Sequence, residues 1–208
     1  MEDMALLRPV VHLMKISLNV SKFSNSERNI IKLRNDYKYA WLIESKVKSS
    51  FILRQLNGII YQIFTKGHVN ITGIRRQQDI AGALADLFHL LNIPKKSKIR
   101  YNIDNIQVSG ILNLNTSNFS LKFICDSLDK MKKQCGILSV KFEPSRFPGA
   151  FIKIAAKESC KGTVLLFNSR KFVIVGLKHL HHKNIIHDVL EESIFKTTQS
   201  RASELSAE

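Results

Sequence analysis

The sequence predicts an α+β protein made of two copies of one unit, each running β-α-β-β-β-β-α, so that ten antiparallel strands carry four helices on one face. Three observations lead there. The ten-residue stretch FTKGHVNITG, from Phe64 to Gly73, aligns without gaps with FNSRKFVIVG, from Phe167 to Gly176. Each stretch follows an alternating or apolar run, Gly58 to Ile63 and Gly162 to Leu166, which reads as strand, tight turn, strand. Each is then followed by a run with helical periodicity.

The first half opens with a strand from His12 to Val20 and a short helix announced by Ser24 and Glu27, a capping-box spacing in which hydroxyl and carboxylate satisfy exposed amides. Extended segments follow at Tyr37 to Glu44 and Phe51 to Gln55, then the hairpin. Residues 76–92 place Ile80, Leu84, Leu87 and Leu91 on one stripe with Ala83, and Pro94 ends the run. The basic stretch from Lys95 to Arg100 reads as a linker.

In the second half the strand runs from Tyr101 to Leu114, and a helix near 118–132 sets Leu121, Ile124, Leu128 and Met131 on one side. Extended segments at Gly136 to Phe142 and Ala150 to Ala155 precede the second hairpin. A helix over 179–196 carries Ile186, Val189, Leu190 and Ile194. The expected organisation is therefore a repeat at 1–94, a linker at 95–100, a repeat at 101–196 and a polar, disordered tail at 197–208.

The composition is that of a folded chain: 208 residues, 44% hydrophobic and 24% charged, with only four prolines. A formal net charge of +15 favours a polyanionic partner, nucleic acid first. Cys125, Cys135 and Cys160 form no C-x-x-C pair and no even disulfide set, which suits a reducing compartment. Glu2 and Asp3 replace the basic start of a secretory signal, and no apolar run reaches the ~18 residues of a membrane helix, so an intracellular protein with no membrane partner is expected. His179, His181, His182 and His187 cluster, but no cysteine or carboxylate joins them at zinc spacing, so no metal is expected. Phosphate-binding glycine loops, nucleophile elbows and paired acidic motifs are all missing, which argues against an enzyme or a cofactor.

The segment FEPSRFPGAFIK, Phe142 to Lys153, followed by Gly162 to Gly176, resembles the C-terminal repeat of the TATA-binding protein family, and Ile103 to Ile106 matches that repeat's first strand. The first repeat is fainter, carried by Phe64 to Gly73 and Lys48 to Arg54, so the likeness spans roughly residues 12–196. The resemblance implies a saddle: a curved ten-stranded sheet with helices on its convex face, whose concave face enters a widened minor groove while phenylalanines wedge between base steps. It also implies a transcription initiation factor that binds and bends A/T-rich duplex DNA and works with a B-class general transcription factor and RNA polymerase machinery. The family occurs in eukaryotes, archaea and some large DNA viruses; the divergence of the first repeat suits a viral source, and the expected compartment is the nucleus or a cytoplasmic viral factory. The alternative is a protein-interaction module, or a sequence-indifferent DNA binder, that keeps this fold without TATA specificity.

Carried over by position, the wedges of the second repeat are Phe147 and Phe167, and Phe64 is the first-repeat counterpart of Phe167. The counterpart of Phe147 falls at Lys48, with Phe51 as a substitute if the register shifts. With Phe167 facing outward, strand alternation places Leu165, Thr163, Val173 and Val175 on the open face. The same count gives Ile60, Gln62, Phe64, Asn70 and Thr72 in the first half, a more polar floor. Asn105 matches a central asparagine able to reach minor-groove acceptors, and Lys15 replaces its partner. Arg54, Lys153 and Lys171 match phosphate-contacting positions, while His68 replaces a lysine. Glu143, Ser145 and Arg146 form the turn the family uses for its B-class partner.

Overall fold

The computed structural model describes residues 10–23, 26–35, 42–44, 50–94, 97–113, 119–132, 135–157 and 159–205. Its elements are β1 (Val10–Asn19), α1 (Ser26–Asn35), β2 (Leu42–Glu44), β3 (Ser50–Arg54), β4 (Ile60–Phe64), β5 (His68–Ile74) and α2 (Asp79–Leu90), then β6 (Tyr101–Ile111), α3 (Leu121–Met131), β7 (Ile137–Lys141), β8 (Gly149–Lys157), β9 (Cys160–Phe167), β10 (Lys171–Leu177) and α4 (His182–Leu205). The chain divides into two compact units, one of His12–Asn105 and one built on Ile106–Glu208. The division falls inside β6 rather than in the basic stretch at 95–100, of which Lys95 and Lys96 lie outside the described residues.

In the N-terminal unit the strand order is β2-β3-β4-β5-β1, antiparallel throughout. Alternation decides the two faces: Tyr61, Ile63, Val69 and Ile71 are fully buried, and the residues between them are half-exposed. The Tyr61 hydroxyl donates to the carbonyl of Ala83 at 3.1 Å, which identifies the buried face as the one under α2. Burial pushes the Tyr61 phenol well above its usual pKa. Ile80, Ala83 and Leu87 form the packed stripe of α2, and Asn29 Nδ2 donates to the Leu91 carbonyl at 2.7 Å, fastening α1 to the end of that helix. The helix starts at Asp79 rather than 76: residues 76–80 form tight turns, with Asp79 N donating to the Arg76 carbonyl at 3.0 Å, and Arg76 also holds the Asp79 carboxylate at 3.0 and 3.1 Å. Gly67 closes the β4–β5 turn: at φ +87° its carbonyl accepts from Val20 N at 2.8 Å, and a Cβ there would lie 2.7 Å from Ser21 N. The Ser24 and Glu27 capping box lies outside the described residues and side chains.

The C-terminal unit repeats the pattern with strand order β6-β10-β9-β8-β7. Its core is Val108, Ile152, Ile154, Val164, Leu166, Phe172 and Ile174, all fully buried, with Ile186, Leu190 and Ile194 of α4 laid over β8, β9 and β10. Each buried aliphatic or aromatic side chain contributes about 1.5–3 kcal/mol relative to exposure. At the start of α3, Ser120 Oγ accepts from Phe123 N at 3.4 Å, and Asn168 Oδ1 reaches from the β9–β10 turn to accept from Leu121 N at 3.3 Å. Burial in this core pushes the Cys125 thiol up to about 12.

One sequence expectation is corrected here. The polar tail from Thr197 does not leave the fold at that point: α4 continues to Leu205, and Thr197 is 1% exposed, its hydroxyl donating to the Ile194 carbonyl at 2.7 Å. The stretch 197–205 holds neither glycine nor proline, so nothing breaks the backbone ladder, and a threonine that returns its hydroxyl to the preceding turn is buried at low cost. At its other end α4 begins at His182, after a turn in which His182 N donates to the His179 carbonyl at 3.2 Å.

Candidate nucleic-acid interface

Each unit leaves one sheet face without helices. In the C-terminal unit cross-strand register assigns its residues: Gly149 pairs with Phe167, Phe151 with Leu165, Lys153 with Thr163, Val173 with Leu165 and Val175 with Thr163. Paired residues share a face, so Leu165, Thr163, Val173 and Val175 stand together, opposite the buried set. The floor is apolar at its centre. Lys141, opposite Phe151, and Lys161, opposite Ala155, join Lys153 and Lys171 on this face, all four exposed.

The aromatic cluster stands at one end of that floor. A tight turn has Arg146 N and Phe147 N both donating to the Glu143 carbonyl, at 2.9 and 3.0 Å, and it delivers the Phe147 ring to 5.8 Å from Phe167 and 5.0 Å from Phe151. Gly149 makes the gathering possible: a Cβ there would lie 2.8 Å from Cε1 of both Phe147 and Phe167. Beside Phe167 lies a groove of about 540 Å³ bordered by Ser109, Ile111, Ser169 and Lys171. The turn is held by Arg170 at φ +63°, whose amide donates to the Phe167 carbonyl at 2.9 Å.

Phe151, 38% exposed, is the member of this cluster that sequence reasoning missed, as it missed Lys141 and Lys161. Two-residue alternation back from Lys153 would have found it.

The open face of the N-terminal unit has a different character. Ile60 pairs with Thr72, Gln62 with Asn70, and Arg54 with Ile60, so these residues share it with Phe64. Its centre is a chain of polar side chains: His68 Nε2 lies 3.1 Å from Asn70 Oδ1, and Asn70 Nδ2 donates to Gln62 Oε1 at 3.2 Å. The His68 ring sits 5.5 Å from that of Phe64. Phe51 does not stand in as a wedge, because the register pairs it with buried Ile63 and leaves it 0% exposed under the helices. Lys48, the other position considered, lies outside the described residues. Ser17 Oγ donates to Asp104 Oδ1 at 3.0 Å and the Lys15 ammonium stands 3.7 Å from the same carboxylate, so this cation faces a counter-charge. Asn105, the next residue along β6, is half-exposed.

In the turn that delivers Phe147, Arg146 pairs with Glu143 at 3.1 Å, and both are exposed together with Ser145. The rings of His179, His181 and His182 lie 4.4 to 5.5 Å apart, but no group of three metal-ligating side chains is arranged to hold an ion among the described residues. No helix of the described residues is long and apolar enough to cross a membrane.

An antiparallel sheet of ten strands, with the order β-α-β-β-β-β-α occurring twice along the chain, matches a TBP-like fold. The solved structure of Methanococcus jannaschii TBP aligns with a TM-score of 0.66 at 19% identity, covering 91% of this chain and 99% of that one. Two other structures align far more loosely: heterotetrameric sarcosine oxidase from Corynebacterium sp. U-96, at 8% identity and a TM-score of 0.34 over 92% of this chain and 84% of that one, and aspartokinase alpha and beta subunits, at 10% and 0.24 over 89% and 99%. No family model and no curated protein matches the sequence.

Proposed function

We propose that this protein binds duplex DNA in the minor groove through the helix-free sheet faces, as a saddle, and bends it as a TATA-binding-protein-like transcription initiation factor. The observation that carries the reading is the Phe147–Phe167 pair, gathered over Gly149 at the end of an apolar floor edged by lysines. A phenyl ring makes no hydrogen-bonding demand and stacks on an exposed base, a contact worth about 1–3 kcal/mol per base. Separating a base step costs a few kcal/mol, offset by the surface that the bent duplex then touches. Leu165, Val173 and Val175 suit sugar edges, Thr163, Thr72 and Asn105 offer hydrogen bonds to groove acceptors, and Arg54, Lys153 and Lys171 contact phosphates. With a wedge pair in the C-terminal unit and Phe64 alone among the described residues of the N-terminal one, the kink is deeper on the C-terminal side. The exposed turn at Glu143, Ser145 and Arg146 is the surface offered to a B-class factor and the polymerase machinery, in the nucleus or in a cytoplasmic viral factory.

The test is end-to-end energy transfer on short duplexes with and without central TA steps, which deform most easily. Wild type should shorten the end-to-end distance, most strongly on the TA duplex, and Phe147→Ala with Phe167→Ala should restore the straight value. A wild-type complex that leaves every duplex straight sinks the wedge mechanism and favours a module that holds a protein on this face.

A further inference from the structure

The three polar side chains at the centre of the N-terminal face form a directional chain. An amide has a donor end and an acceptor end, and rotating it by 180° exchanges them. With Asn70 Nδ2 donating to Gln62 Oε1, the Asn70 oxygen is left to receive His68 Nε2, and the Gln62 NH2 group has no partner among the described residues. The opposite arrangement is internally consistent as well: Gln62 donates to Asn70 Oδ1, Asn70 donates to an unprotonated Nε2, and Gln62 presents its oxygen. Residue 68 decides between them, because a donor there holds the chain in the first direction and an acceptor in the second.

We propose that Gln62 is a base-reading residue whose polarity His68 sets through Asn70. The inference rests on the minor-groove reading above and deepens it. In the minor groove A·T and T·A pairs present only acceptors, whereas G·C adds the guanine amino donor. An outward NH2 on Gln62 therefore matches A·T and meets a second donor at G·C; an outward oxygen reverses the preference. Gln62 is half-exposed and lies opposite Ile52 on one side and Asn70 on the other, so it has a neighbour on each flank and the groove in front. Residue 68 then acts as a positioning residue, reading no base itself.

The experiment uses the full chain and four duplexes that differ at one pair, scanned along the site: A·T, inosine·C, G·C and diaminopurine·T. The first two lack the minor-groove amino group and the last two carry it, so the groove chemistry separates from base-pair identity. Wild type should bind the amino-free pairs about tenfold more tightly at one position of the scan. Gln62→Ala should flatten that position and no other. His68→Lys, a fixed donor, should keep the preference, and His68→Asp, a fixed acceptor, should remove or invert it, with thermal midpoints recorded to show that each variant is folded. Discrimination that survives Gln62→Ala, or that is the same in His68→Lys and His68→Asp, overturns the proposal while leaving DNA binding intact. Failure to bind any of the duplexes removes the minor-groove reading itself, and the relay with it.

Discussion

Gly149 and Phe167 are cross-strand partners, and the Phe167 ring occupies the space that a side chain on residue 149 would need: an added Cβ would fall 2.8 Å from its Cε1. Gly149→Ala should therefore displace both Phe167 and Phe147. Forcing a methyl into a packed site costs about 1–3 kcal/mol, and urea denaturation should show a loss within that range. Because the rings move while the strand remains, DNA bending should fall more than the thermal midpoint does. An alanine variant that bends DNA like wild type would show that the ring positions are not what matters.

His182 is almost fully buried at the start of α4, and its pKa is held below the ordinary value by that burial, with the neighbouring charges of His181 and His179 adding to the effect. The unfolded chain takes up this proton more readily than the folded one, so stability rises with pH. The contribution is complete above the ordinary imidazole pKa of about 6.5 and is lost as pH falls from there toward the depressed folded value. The thermal midpoint should drop between pH 7.5 and pH 5.5, before most carboxylates titrate, and His182→Asn should reduce the slope. A midpoint that is flat across this window, or a slope unchanged in the variant, would refute the assignment.

Four exposed lysines, Lys141, Lys153, Lys161 and Lys171, border the C-terminal face. Each that neutralises a phosphate should contribute about 0.9 to the slope of log K against log salt. Lys141→Gln and Lys161→Gln, made singly and together, should reduce the slope by that amount per residue and leave the preference for TA steps unchanged. A slope that does not move would assign the phosphate contacts to other cations of this strongly basic chain.

The element order was legible in the sequence because the two hairpins share a length and a Phe-to-Gly frame, and because Ile80, Leu87, Ile186 and Leu190 repeat at helical spacing ahead of few competing signals. Residue-level placement followed wherever alternation was unbroken, as at Thr163, Leu165, Val173 and Val175. What stayed hidden depended on contacts between strands. Phe151 looks like any strand phenylalanine until its register against Leu165 places it beside Phe147. The direction of the His68, Asn70 and Gln62 chain is a property of three side chains on two strands, and no single-strand pattern encodes it. The end of α4 is hidden in the sequence because its polar composition matches that of a disordered tail, whereas the buried Thr197 satisfies its hydroxyl within the helix.

The clustering of Phe147, Phe151 and Phe167 also bears on life without a partner. Rings about 5–6 Å apart cover part of one another's apolar surface, and such pairs are worth about 0.5–1.5 kcal/mol beyond simple burial. Three separated rings on an open sheet face would offer sticky aromatic surface to other copies of the chain. Mutual shelter lowers that hazard, so the cluster helps the protein remain dispersed at high concentration.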